Sequence, residues 1–133
     1  MIADSSVWIS HLRNENNRAT EILRATLDAR QPLTLLPVVL QEVSQGAASR
    51  ERYLRLLRLL LGSCQIPQLD ATEVHQEAAR LYMECRLAGI TPRNSYDCVI
   101  AASAVLLELP LLHNDVDFLR IASVEKRLKL LPV

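Results

Sequence analysis

Asp115 and Asp117 stand one residue apart in the stretch LLHNDVDFL, which runs from Leu111 to Leu119. Two apolar residues lead into this stretch and an apolar pair closes it, so both carboxylates fall where the chain leaves a buried strand. A buried carboxylate is costly unless something positive holds it. Three more acids sit among apolar neighbours: Asp4 after Met1–Ala3, Glu42 between Leu40 and Val43, and Asp97 just before a long apolar run. Several carboxylates in one cleft repel one another, and some pKa values rise unless a cation is bound. A hard divalent cation with oxygen ligands resolves that conflict. Mg2+ takes one or two carboxylates directly, with waters and substrate phosphate oxygens filling the rest of its shell. Such a site suits phosphodiester hydrolysis, because the ion polarises the phosphate, lowers the pKa of a bound water and offsets charge on the leaving oxygen.

Each acid also has an ordinary reading. Asp4 before Ser5 and Ser6 can cap a helix. Asp97 can complement a helix dipole from a first turn. Glu42 can be a solvated helical residue, and Asp115 and Asp117 can be turn residues. The elements that position the acids decide between these readings.

Met1 to Ala3 reads as a strand, and a helix carrying Val7, Trp8, Ile9 and Leu12 follows. Asn17 to Ala29 reads as a second helix with Ala19, Ile22, Leu23 and Leu27 on one side. Leu33 to Leu36 reads as a buried strand, and Pro37 fits the first turn of a helix reaching about Ala48. Arg50 to Leu61 is a helix rich in leucine and arginine, and Gln65 to Leu69 is a weak strand. Ala71 to Leu87 is a long helix stopped by Gly89 and Pro92. Ser95 to Leu107 is apolar after its first turn and predicts a buried helix. Pro110 to Asn114 is a strand, Phe118 to Ala122 a short helix and Leu128 to Val133 a last strand.

Strands alternate with helices throughout, which predicts an α/β fold with a parallel sheet covered on both faces. Ligands of such folds bind at the carboxyl ends of the strands. Asp4 and Asp115 then share one sheet edge, and Asp97 and Glu42 can point toward the same pocket.

The chain has 133 residues and a formal net charge of zero, with half of its residues hydrophobic and 23% charged. That predicts a single domain over residues 1–133 with a real core. It argues against a scaffold that coats nucleic acid by bulk charge, while leaving room for nucleic acid held by a local site and a metal ion. Cys64, Cys85 and Cys98 are odd in number and lack a C-x-x-C spacing, so neither a disulfide framework nor a zinc ribbon is expected. An acid at position 4 argues against a cleavable signal peptide, and no apolar stretch reaches the ~20 residues of a membrane span. A soluble, cytoplasmic protein with no membrane partner is the expectation.

Four stretches carry a resemblance. "MIADSSVWI" looks like an opening strand, aspartate and hydroxyl residue, and "VVLQEV" like a helix bearing a glutamate. "SYDCVIAASAV" looks like a central aspartate with its apolar helix, and "LLHNDVDFLRI" like a last acidic motif. In this order, and over essentially the whole chain, they resemble a PIN-domain ribonuclease, most like the toxin half of a bacterial toxin–antitoxin pair of the VapC kind. The resemblance implies a three-layer α/β/α fold with a five-stranded parallel sheet, and an endoribonuclease dependent on Mg2+ or Mn2+. It implies that Asp4, Glu42, Asp97 and Asp115 form the acidic quartet around the metal. Asp117 becomes an accessory acid, and Ser5 or Ser6 the hydroxyl residue that follows the first aspartate. The family usually has Thr or Ser where this chain has His113. That histidine, grouped with Asn114 as supporting, either fills the strand end, donates a hydrogen bond, or binds phosphate when protonated.

The resemblance also implies RNA as substrate, a small VapB-like antitoxin as partner and a homodimer. Arg86 and Arg93 are candidate RNA contacts, each also readable as an ordinary solvated arginine or as the partner of a neighbouring acid. An apolar groove from Val7–Leu12 and Tyr53–Leu61 is the candidate antitoxin seat, with Trp8, Tyr53 and Leu57 as contacts. Two rival readings share the acids. One is a Mg2+-dependent phosphotransfer or phosphatase domain, since D-V-D-F looks like a D-x-D nucleophile motif. That motif belongs after the first strand, whereas this pair comes near the end, and the only lysines are Lys126 and Lys129. The other is a catalytically silent interaction module, against which the retention of all four acids argues.

Overall fold

Proline and capping residues set most of the element boundaries. In a computed structural model, which describes residues 1–132, β1 (Ile2–Ala3) leads through Asp4 into α1 (Ser5–Leu12). Next come α2 (Arg18–Asp28), α3 (Pro37–Ser44), α4 (Arg50–Ser63), α5 (Ala71–Leu87) and α6 (Ser95–Leu107). β2 (Leu111–Leu112), α7 (Val116–Val124) and β3 (Leu130–Leu131) complete the described chain. Pro37 occupies the start of α3, where its missing N–H has no helical partner to lose. α3 ends at Ser44, a turn short of the expected Ala48. Gly89, at φ +79°, takes the left-handed turn that follows α5.

α2 is held at its start by a reciprocal pair. The Thr20 N–H donates to Asn17 Oδ1 and the Asn17 N–H donates to Thr20 Oγ1, both at 2.9 Å. Asn17→Ala removes one half of this box and leaves a helix donor unpaired. The expected outcome is a loss of about 1 kcal/mol, read as a shift in the urea unfolding midpoint with an unchanged slope.

The sheet is parallel, as expected. Ile2 and Ala3 pair with Leu111 and Leu112, which pair in turn with Leu130 and Leu131. The expected five strands are corrected to three among the described residues. The other two segments remain as single parallel bridges, Ile2 to Thr34 and Thr34 to Gln65. The Thr34 N–H donates to the Met1 carbonyl at 2.9 Å, and the Leu35 N–H to the Gln65 carbonyl at 2.8 Å. Proline explains the shortness: Pro32 and Pro37 bracket one segment and Pro67 cuts into the other, and each removes a ladder donor. Val133, the final residue of the expected last strand, lies outside the described residues.

Ile2, Leu33, Leu35, Leu111 and Leu112 are buried beneath the helices. α6 buries Cys98, Ile100, Ala101, Ala102 and Ala104, and it packs extensively against α5. Phe118 of α7 is fully buried beside the ring of His113, in an edge-on contact with centroids 5.6 Å apart. No helix of the described residues is long and apolar enough to cross a membrane.

An ion-pair network joins elements distant in the chain. Arg80 bridges Glu77 and Glu125, and Arg127 bridges the same two acids, at 2.6–2.9 Å. Hydrogen bonding to Arg127 pulls the Glu125 carboxyl down to about 2. α5 is thereby fastened to the turn after α7.

Candidate active site

The parallel register brings the carboxyl ends of β1 and β2 together, and Asp4 and Asp115 stand on those ends. Each is also the cap of the helix that follows. Asp4 Oδ2 accepts from the Ser6 hydroxyl at 2.6 Å and the Ser6 N–H at 3.2 Å. Asp115 Oδ1 accepts from the Asp117 N–H at 3.0 Å. The capping and site readings of these acids therefore coincide. A strand that ends in a helix cap delivers its carboxylate to the rim of the sheet.

Asp97 reaches the same cleft from the first turn of α6. Glu42 reaches it from α3, where its Oε1 accepts from the Ser5 hydroxyl at 2.9 Å. Together Asp4, Ser5, Ser6, Ile9, Glu42, Arg93, Asn94, Asp97, Asp115 and Asp117 line a cleft of about 350 Å³. Carboxylate oxygens of Asp97, Asp115 and Asp117 lie within 4.8 Å of one another.

The electrostatics divide these acids into two kinds. Asp97 is pushed up to about 7, first by burial and then by the charges of Asp4, Asp115, Asp117 and Glu42. Burial likewise raises Asp4 and Glu42, against the hydrogen bonds from Ser6 and Ser5 that lower them. Asp117 behaves oppositely. Its buried carboxylate accepts from Arg93 Nε and Arg120 Nη1, each at 2.9 Å, and Arg93 holds it below the usual carboxylate range. Asp117 is therefore already compensated, whereas Asp97 is not. That also weakens the D-x-D reading, since the second acid of the pair is engaged by two guanidinium groups.

The remaining expectations sort by position. His113 is buried at the end of β2, and its Nδ1 donates to the Asp115 carbonyl at 2.9 Å. Burial lowers its pKa, against the raising effects of the Asp115 hydrogen bond and of the Asp4 and Asp115 charges. The hydrogen-bonding role expected of His113 is the one seen here, at the Asp115 turn, and its ring is not part of the cleft lining. Asn114 is exposed and lies outside the cleft lining. Arg93 lines the cleft, but Arg86 does not; its guanidinium lies over the Tyr82 ring at 5.7 Å. Trp8 is corrected from a surface contact to a core residue, being only 1% exposed. Tyr53 is exposed and Leu57 half-buried on α4.

Two residues of the site went unmarked in the sequence. Arg120 pairs with Asp117 at a spacing of three within α7, a spacing visible in the sequence. Asn94 lines the cleft and caps α6, its Oδ1 accepting from the Tyr96 N–H at 2.9 Å.

Known proteins resemble the chain over nearly its whole length. A VapC ribonuclease of Mycobacterium bovis is 29% identical over 125 residues, covering 93% of this chain and 92% of the relative. Ribonuclease VapC11 of Mycobacterium tuberculosis matches to the same extent. Among solved structures, that of VapBC2 from Rickettsia felis bound to a DNA fragment from their promoter includes a chain with a TM-score of 0.74. The two are 19% identical, and the match covers 97% of this chain and 95% of that one. The fold is shared with that chain. The family model for the PIN domain matches residues 1–124, and the chain belongs to the PIN domain family.

Proposed function

We propose that the protein is a metal-dependent endoribonuclease that acts as the toxin of a bacterial toxin–antitoxin pair. One observation carries the reading: acids from positions 4, 42, 97 and 115, on four separate elements, converge on one cleft at the strand ends. The ribonuclease names of the curated relatives point the same way. The whole chain is read as one domain, with helix groups on both faces of its short sheet.

The donor set fits a hard divalent ion. It is all oxygen, it holds a surplus of negative charge, and its most perturbed acid, Asp97, has no cation of its own. Asp4, Asp97 and Asp115 are assigned to the ion, Mg2+ or Mn2+, which would supply charge stabilisation to the scissile phosphate. The chain's own residues do the rest. Ser6 orients Asp4, Ser5 turns Glu42 toward the cleft, and His113 fixes the Asp115 turn. Glu42, half-buried with a raised pKa, is the group here suited to take a proton from the attacking water. Arg93, which lines the cleft, is assigned to an RNA phosphate.

The antitoxin is assigned to a groove of about 290 Å³ between α1, α3 and α4, lined by Ile9, Leu12, Val43 and Leu56. It adjoins the acidic cleft through Ile9 and Glu42. From α4 the lining comes from Arg52 and Leu56, whereas Tyr53 and Leu57, the contacts expected from the sequence, lie outside it; a homodimer is the proposed assembly. The test is cleavage of purified RNA with its 5′ ends mapped. Discrete ends are expected with Mg2+ or Mn2+, loss of cleavage with a chelator, and recovery when the ion is restored. Undiminished cleavage in chelator overturns the reading.

A further inference from the structure

Arg93 stands between two acids in unlike settings. Its Nε donates to Asp117 Oδ2 at 2.9 Å and its Nη2 to Asp115 Oδ1 at 3.0 Å. The Asp117 side chain is only 2% exposed and holds Arg120 as well. It also accepts from the Arg93 backbone N–H at 3.4 Å. Asp115 is a third exposed and faces the cleft that holds Asp4 and Asp97. The Asp117 contact is thus an anchor, and the Asp115 contact is the one that the cleft can take away.

We propose that Arg93 is a built-in counter-cation, anchored on Asp117, which neutralises Asp115 in the ion-free protein and yields it when a divalent ion enters. The proposal rests on the metal-dependent reading and adds a positioning residue to it. A guanidinium stays charged at every working pH, so it offsets carboxylate repulsion in the ion-free cleft without a proton. The same fixed charge repels an arriving cation. Arg93 therefore trades ion affinity for order in the ion-free state. Its side chain is 66% exposed, and solvent screening keeps the effect moderate.

The test is calorimetric titration of Mn2+ into wild type, Arg93→Gln and Arg93→Lys, with melting curves of each ion-free protein. Arg93→Gln is expected to bind Mn2+ about tenfold more tightly, as loss of one nearby charge typically shifts a site by a unit or more. It should also melt lower without the ion. Arg93→Lys keeps the charge and should titrate close to wild type. An Arg93 that merely props the loop before α6 predicts unchanged or weaker Mn2+ binding in Arg93→Gln, and either result overturns the proposal. If wild type binds Mn2+ and Arg93→Gln binds no tighter, only the role of Arg93 falls. If neither binds Mn2+, the metal-dependent reading falls with it.

Discussion

Asp97→Asn is expected to lower RNA cleavage by at least about 10²–10³-fold while leaving the fold intact. The substitution keeps the shape of the side chain and removes its charge. Asp97 is the acid with most to lose by that exchange. It sits in the first turn of a buried helix, with four other carboxylates acting on it and no arginine assigned to it. Its capacity to hold a cation comes from the same crowding that lifts its pKa to about 7. An amide keeps one oxygen but loses the charge that draws the ion. Mn2+ binding by calorimetry should weaken together with the rate. The far-ultraviolet circular dichroism spectrum should match that of wild type, because among the described residues no hydrogen bond depends on this carboxylate. A variant that cleaves at the wild-type rate places the ion elsewhere. The structure names the alternative in advance, since Asp117→Asn should then hurt more than Asp97→Asn. The arginine contacts of Asp117 predict the reverse, with Asp117→Asn acting through stability and through Arg93.

Most helices and their starts were legible because capping and proline rules act within a few residues; the last was expected only from Phe118, whereas Asp115 caps it and it starts at Val116. Asn17, Ser49, Asp70 and Asn94 each bond a backbone N–H of their own first turn. The convergence of Asp4 and Asp115 was legible one step further on, because strand–helix alternation implies a parallel sheet, which lines up strand ends. Sheet extent was not legible. Leu33–Leu36 has the composition of a buried strand, yet whether it forms a ladder depends on a partner some thirty residues away, and flanking prolines limit it to one bridge. Trp8 failed for a related reason. Trp8 and Ile9 are consecutive on a short apolar helix, and the sequence does not say which of them is buried in the core; Trp8 is. The partners of the acids were least legible of all. Arg93 lies 24 residues from Asp117, and Arg80 lies 45 from Glu125. No local period links such pairs, so the split of the acids into compensated and uncompensated members emerges only from the fold.

That split has a thermodynamic consequence that isolates Asp97. The ion-free wild type should lose stability relative to Asp97→Asn as pH rises from 5 to 8. The unfolded chain carries an ordinary aspartate that releases its proton near 3.8, while the folded protein keeps that proton until about 7. Between those values the folded state holds more protons than the unfolded state, so stability falls as pH rises, and the slope vanishes above about 7. Using Asp97→Asn as the reference cancels groups that act the other way, such as His113 and His11, whose pKa values are lowered in the folded state mainly by burial. The span from 3.8 to about 7 sets an upper bound of about 4 kcal/mol. Asp97 is only partly buried, and screening leaves about 1–2 kcal/mol, or several degrees in melting temperature. Saturating Mn2+ should reverse the trend in wild type alone. The ion competes with the proton for the same oxygens, so its stabilisation, about 2.7 kcal/mol at 100 times the dissociation constant, should grow toward pH 8. Melting curves of the two proteins at four pH values, with and without Mn2+, check both halves. A wild type that gains on Asp97→Asn as pH rises without the ion would show that the carboxylate is already compensated in the folded protein. The cleft would then lack the uncompensated charge from which the nuclease reading is built.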